Sequence, residues 1–312
     1  MSSLHLALAL GGDPTTTAAQ WSQRAREAEV GLLDLVTLDV PAGPSGGTTG
    51  GLDAVRAATR LAATTRAIGL LPTVHAGASD PWSIARDVEA LDGASGGRAG
   101  VHLRVPVPAD ESGWVQAVRR GWSRGTAGTG GTAGTGGTDS AAGPLVALPG
   151  RVGRGPRALP ADAADLGFVS PRTTVDAQEL VAAARTAGAP RHLLGDLVVV
   201  LDDDASRARA RAESTGGRAP ATAPQGTRVF SGTPAQLADL ALGWRTAGLS
   251  GLRLHPADPD RDLRGVTRGL VPELQRRGVF RRSYRGTDLR ERLGEPAVAA
   301  RSARSSEHCT AA

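Results

Sequence analysis

Four residues able to hydrogen-bond or carry a proton fall at or near the ends of apolar, strand-like runs. Asp39 sits near the end of Leu33 to Val40. Thr73 ends Ala67 to Val74, with His75 just after it, and His102 lies in Ala99 to Val105. Histidine titrates near neutrality, so His75 and His102 are the candidates for moving a proton or orienting a reacting oxygen. The loop Gly150-Arg151-Val152-Gly153-Arg154-Gly155 offers a different chemistry. Its glycines let backbone amides approach an anion, and its arginines can grip a phosphate by two hydrogen bonds. No His-x-His or His-x3-His unit occurs, and the single cysteine, Cys309, has no partner for an internal disulfide, so no metal site is expected.

These groups act together only if a scaffold gathers the strand ends. Eight apolar runs have strand length: Leu4 to Leu10, Leu33 to Val40, Ala67 to Val74, Ala99 to Val105, Leu145 to Leu148, Gly167 to Ser170, Leu194 to Leu201 and Gly251 to His255. Helical patterns alternate with them at Thr16 to Val30, Leu52 to Thr64, Pro81 to Asp92, Glu111 to Ser123, Asp176 to Ala187, Ala235 to Ala247 and Leu263 to Arg277. Alternation of this kind demands a parallel sheet, and eight strands favour a closed (β/α)8 TIM barrel. Local signals agree. Thr233-Pro234-Ala235-Gln236 reads as a capping box with proline in the first turn, and Asp80-Pro81 starts a helix in a similar way. Ala187-Gly188 and Ala247-Gly248 read as helix stops. In such a barrel the reactive end is where the strands finish. That places Asp39, Thr73, Val74, His75, His102, Leu148 to Gly150 and His255 on one rim. Arg98 precedes its strand and belongs on the opposite, structural face.

One barrel over residues 1–294 is the expected domain plan. The run TAGTGGTAGTGGT from Thr126 to Thr138 has no large apolar side chain to bury, so 124–143 is expected to be a disordered insert. Thr215 to Gly226 reads as a second soft stretch, and 295–312 as a flexible tail.

The charge is a net +5, and all 36 basic residues are arginine. They are interleaved with acids along the chain rather than gathered, and one Tyr and three Phe leave few platforms for stacking bases, so nucleic acid is not an expected partner. The densest basic cluster is Arg276, Arg277, Arg281, Arg282 and Arg285. No run approaches the roughly 20 apolar residues that cross a bilayer. The first residues lack the basic start and long apolar core of a leader, so a cytoplasmic protein without a membrane role is expected.

Three stretches resemble one family. Thr73-Val74-His75-Ala76-Gly77 through Asp80-Pro81-Trp82 to Leu91-Asp92-Gly93-Ala94-Ser95-Gly96-Gly97-Arg98 is similar to the third strand, third helix and following turn of the luciferase-like flavin-dependent monooxygenases. Gly232-Thr233-Pro234-Ala235-Gln236-Leu237-Ala238-Asp239 is similar to the start of their late helix. Leu270-Val271-Pro272-Glu273-Leu274-Gln275-Arg276-Arg277-Gly278-Val279-Phe280-Arg281, with Tyr284 and Leu289 to Gly294, resembles the branch that holds nitrilotriacetate and dibenzothiophene-sulfone monooxygenases. The resemblance implies a bacterial luciferase-like barrel that takes reduced FMN from a separate flavin reductase and uses O2 to oxygenate a small organic molecule, often as a homodimer. It implies that Asp39, Thr73 and Val74 lie by the flavin ring, that Gly150, Arg151, Val152 and Gly153 hold its phosphate, and that His75 and His102 are catalytic. Two alternatives stand beside it: a degenerate flavin-binding barrel without catalysis, and use of the deazaflavin F420 in place of FMN. The chain departs from the family where the fourth strand reads Val101-His102-Leu103-Arg104-Val105-Pro106. It departs again where the Gly/Thr run replaces a long insertion.

Overall fold

The computed structural model describes residues 4–12, 15–40, 50–77, 80–105, 111–125, 143–149, 164–186, 188, 190–214, 216, 219–286 and 288–294. Nine parallel strands form one sheet: β1 (His5–Gly11), β2 (Leu35–Asp39), β3 (Gly69–His75), β4 (Gly100–Arg104), β5 (Leu145–Pro149), β6 (Leu166–Val169), β7 (His192–Leu201), β8 (Val229–Gly232) and β9 (Gly251–Pro256). Eight of them close on themselves. β1 to β7 pair in sequence, β7 pairs with β9, and β9 pairs with β1. All eight expected strands are in this (β/α)8 barrel. The ninth, β8, was not expected. It pairs only with the far end of β7, from Val198 to Leu201, beyond the reach of β6.

Helices α1 (Ala18–Val30), α2 (Gly50–Ala62), α3 (Pro81–Ser95), α4 (Glu111–Gly125), α5 (Thr174–Thr186), α6 (Ala205–Ser214) and α7 (Pro234–Thr246) lie between strands. The expected caps are in place. Thr233 and Gln236 form the capping box of α7, and Asp80 accepts from the Trp82 and Ser83 amides at the head of α3. Gly188 and Gly248 take the left-handed conformation after their helices, at φ 72° and 103°. The late helix read as Leu263 to Arg277 is really three pieces: α8 (Arg261–Gly265), a π-helical turn at Val266–Leu270, and α9 (Val271–Arg276). A short last helix, α10 (Leu289–Leu293), follows.

Successive strand residues face opposite ways, and the apolar ones divide accordingly. Leu6, Leu8, Val36, Leu38, Val101, Leu103, Leu252 and Leu254 join the layer packed against the helices. Ala7, Leu35, Leu71, Leu145, Ala147, Leu166, Phe168 and Leu194 form a second cluster, the barrel interior, and Leu289 and Leu293 of α10 complete it. The seam between β1 and β9 needs glycine at 251, where a Cβ would collide with the His5 carbonyl.

The expected insert at 124–143 lies mostly outside the described residues, and the tail at 295–312 wholly so. No helix among the described residues is long and apolar enough to cross a membrane. Within the Thr215 to Gly226 stretch, expected to be soft, Thr222 is 6% exposed and hydrogen-bonded inside the rim.

Candidate active site

The strand ends bring most of the predicted residues to one mouth. Asp39, at the end of β2, lies 3.4 Å from the guanidinium of Arg104 at the end of β4. His75 is level with Arg104 in the β3–β4 ladder and is exposed. Partial burial and the neighbouring Arg104 hold its pKa below the usual histidine value, against a smaller pull from Asp39. His75 is therefore mainly neutral at pH 7.

Deeper in, Thr73 and His102 are cross-strand neighbours that share a 3.1 Å hydrogen bond through His102 Nδ1. His102 is 1% exposed and stands edge-on to Phe168, with ring centroids 5.1 Å apart. Burial, then Arg253 and Arg104, drive its pKa well down, so the ring is neutral. Its Nε2 is buried and has no hydrogen-bond partner among the described residues. A buried polar atom left open in this way marks a place for water or a ligand. Val74, between Thr73 and His75, turns outward into the layer under the helices. Only its backbone faces the rim. Gly150, Arg151, Val152 and Gly153 lie outside the described residues.

Inside the barrel is a charge network that the sequence reading did not find. Arg253 on β9 grips Asp196 on β7 with two hydrogen bonds, of 2.5 and 3.0 Å. Its guanidinium also lies 3.8 Å over the Phe168 ring. His255, two residues along β9 on the same face, places Nε2 3.0 Å from the same carboxylate and Nδ1 3.2 Å from Thr222 Oγ1. Asp196 and Arg253 are 1% exposed and His255 is fully buried. Burial alone would raise the Asp196 carboxyl, but Arg253 and His255 together hold it below the usual range. Burial also outweighs Asp196 at His255 and lowers its pKa. One signal did exist in the sequence: Leu252-Arg253-Leu254-His255 alternates apolar and polar, which means a strand with a polar inner face.

A cavity of about 400 Å³ opens at this end. Ala9, Leu10, Gly11 and Gly12 of the β1 end, Pro220, Ala221, Pro256 and Pro259 give it apolar walls, and among the described residues Asp39 and Thr222 are its polar side chains. Gly11 is required here, because a Cβ would strike the Thr222 methyl. Arg104 ties this cavity to the His75 side of the mouth, since it reaches Asp39 and also comes within 3.5 Å of the Thr222 carbonyl. Among the described residues no group of His, Cys, Asp or Glu could hold a metal.

The opposite end of the barrel is closed. Asp34, near the start of the same strand-like run as Asp39, is buried there between His5, Arg281 and the Leu6 amide. Burial opposes its charge, but His5 and Arg281 outweigh it and hold the pKa at about 2. Arg98 is structural, as expected. Its guanidinium donates to Ser95, Ile68, Ala62 and Thr65 carbonyls and to the Thr65 hydroxyl. A larger cavity of about 600 Å³ lies beside the Arg281 to Arg292 block at this end. The basic cluster is largely spent on internal pairs: Arg276 and Arg277 with Glu273, Arg277 with Asp239, and Arg281 with Asp34.

No family model matches the chain. It is 41% identical over 71 residues to N-acetyl-S-(2-succino)cysteine monooxygenase of Bacillus subtilis, and 39% identical over 70 residues to nitrilotriacetate monooxygenase component A of Aminobacter aminovorans. Each match covers 22% of this chain and only 16% of the relative's length. The fold likeness is far broader. EDTA monooxygenase from Chelativorans sp. BNC1 superposes with a TM-score of 0.73 at 18% identity, over 95% of this chain and 99% of that one. A long-chain alkane monooxygenase gives 0.71 at 14% identity, over 96% and 99%. A coenzyme F420-dependent tetrahydromethanopterin reductase from Methanopyrus kandleri gives 0.60 at 15%, over 87% and 99%. By its barrel and by the segment it shares with them, the chain resembles the luciferase-like monooxygenases, as its sequence motifs implied.

Proposed function

We propose that the chain is a two-component, FMN-dependent monooxygenase: with reduced flavin from a separate reductase, and O2, it inserts one oxygen atom into a small organic substrate and releases the other as water. The observation that carries this reading is the mouth. An apolar cavity of about 400 Å³ there adjoins an Asp39–Arg104 pair, and the buried His102 Nε2 stands without a partner among the described residues deeper in the barrel. Its size falls within the range of small-molecule sites. The residues present fit a flavin. The ring would lie by Asp39, Thr73 and the backbone at Val74, and the phosphate would be taken by Gly150, Arg151, Val152 and Gly153. When bound, the reduced flavin supplies the electrons that activate O2.

The chain's own residues bind, orient and exclude water. Thr73 fixes the His102 ring through Nδ1 and so aims Nε2. His75 and His102, both neutral, are the groups that would hold or pass a proton near the reacting oxygen. Arg104 fixes the Asp39 carboxylate at the rim. A homodimer and a cytoplasmic site of action belong to the same reading. So does a single barrel over 1–294, with an insert at 124–143 and a tail from 295.

The test is an anaerobic optical titration of the purified chain with reduced FMN, with reduced F420 in parallel because one barrel of like fold is named for that cofactor. Micromolar binding of reduced FMN that weakens in Thr73→Ala and Arg151→Ala is the expected result. Preference for F420 would change the cofactor. Failure to bind either would leave a barrel without this chemistry.

A further inference from the structure

The hydrogen bonds behind the mouth cavity have a fixed direction, and that direction has a consequence for what the cavity takes. Asp196 is ionised and already neutralised by the two-point grip of Arg253. A second cation in the same buried place would be uncompensated, so His255 is neutral. A carboxylate only accepts, so the His255 proton sits on Nε2 and is donated to Asp196 Oδ1 across 3.0 Å. Nδ1 is then a lone pair, and Thr222 must donate its only hydroxyl proton to it across 3.2 Å. Thr222 has no proton left. Whatever its oxygen offers a ligand is an acceptor.

Asp39, the other polar side chain on the cavity wall among the described residues, is an acceptor as well. The nearby cation, Arg104, is directed at Asp39 and the Thr222 carbonyl. Among the described residues the remaining walls are glycine, alanine, leucine and proline.

We infer that the mouth cavity selects a ligand with an apolar body and a hydrogen-bond donor, an alcohol or amine, and turns away carboxylates. Thr222, set by His255 and Asp196, is the residue that determines this choice. The selection rests on the mouth being the reactive end, as proposed above, but it can be measured without any cofactor. It also sets this chain apart from two of the proteins it resembles, EDTA monooxygenase and nitrilotriacetate monooxygenase component A, which are named for polycarboxylates.

The experiment uses the full chain and three probes that share one ring: benzyl alcohol, benzylamine and benzoate, titrated by calorimetry at neutral pH. The alcohol and the amine are expected to bind at least about tenfold more tightly than benzoate. Thr222→Val, which keeps the shape and removes the hydroxyl, should weaken the alcohol about fivefold and leave benzoate unchanged. Thr222→Ser should restore the preference. A nitrogen NMR spectrum of the histidines reads the cause directly. His255 should carry its proton on Nε2, and its Nδ1 signal should move in Thr222→Val. Equal or tighter binding of benzoate, no binding of any probe, or a proton on Nδ1 would overturn the inference. The reduced-FMN titration separates the two readings. Flavin binding with a benzoate preference removes this inference alone, and an alcohol preference without flavin binding removes the monooxygenase reading alone.

Discussion

The two ends of the barrel are built from the same residue types and use them oppositely. At the end where strands begin, aspartate, histidine and arginine are locked into buried ion-paired sets, Asp34 with His5 and Arg281, and Asp165 with Arg119 and Arg290, and the groups left over there among the described residues are donors on Arg281 and Arg292. At the end where strands finish, similar side chains are held from behind around the mouth, and what is left over among the described residues is the His102 Nε2, the Thr222 lone pairs and the loosely paired Asp39. Charge in a barrel is thus no guide to function until its partners are counted. The closed end should govern stability and the open end ligand choice.

The largest effect expected of that contrast is at Arg290. It binds both oxygens of Asp165 and the carbonyls of Gly143 and Pro144, and Asp165 has no exposed side-chain surface. Arg290→Ala strips a buried carboxylate of one of the two arginines seen to hold it among the described residues. A loss of about 3 kcal/mol in urea unfolding is expected, with the alcohol preference of the mouth intact in the protein that remains folded. A loss under about 1 kcal/mol would mean that Arg119 alone suffices and that the closed end is not the stabilising one.

A smaller effect comes from acid. His102 and His255 are buried with lowered pKa values, so the unfolded chain binds protons that the folded chain refuses. Their contribution is complete above the ordinary histidine value of about 6.5 and is lost as pH falls below it. Each contributes a slope of up to about 1.4 kcal/mol per pH unit. Unfolding followed from pH 7.5 to 5.5 should show this decline, and His102→Asn should flatten it. An unchanged slope in that variant would mean that the His102 ring charges in the folded state.

The smallest effect on stability, and the sharpest test of the contrast, is Arg104→Ala. The Asp39–Arg104 pair is partly exposed and 3.4 Å long, so less than about 1 kcal/mol should be lost. Reduced FMN should nevertheless bind more weakly, because the rim carboxylate is no longer held. Stability lost without any change in binding would place Arg104 with the structural arginines.

The sequence made the barrel readable because its strands are long apolar runs, and made Arg98 readable because it precedes a strand. It hid other parts for physical reasons. In α6 only Ala208 is buried, so no apolar stripe marks the helix. β8 has four residues, three of them only partly buried. Thr222 lies in a Gly/Pro/Ala-rich stretch whose composition is that of a linker, and only the fold sets it against His255. The Asp196–Arg253 pair joins residues 57 positions apart, so no local pattern announces it. Asp39 and His75 were legible as strand ends, whereas Thr73 and His102 lie two residues inside the ends of β3 and β4 and are buried. Which of them share a hydrogen bond was not legible.

The floor of the barrel also bears on how the protein is made. Leu289 and Leu293 fill the interior, and Leu289 packs on Gly69. Arg292 reaches the Ala67 carbonyl, 225 positions earlier. A ribosome that has delivered every strand has therefore still not delivered the stopper. Until it emerges, the nascent barrel exposes an apolar hole to the cell, and contacts so distant in sequence form late. A nascent chain arrested just before Leu289 would be the species that chaperones and proteases see.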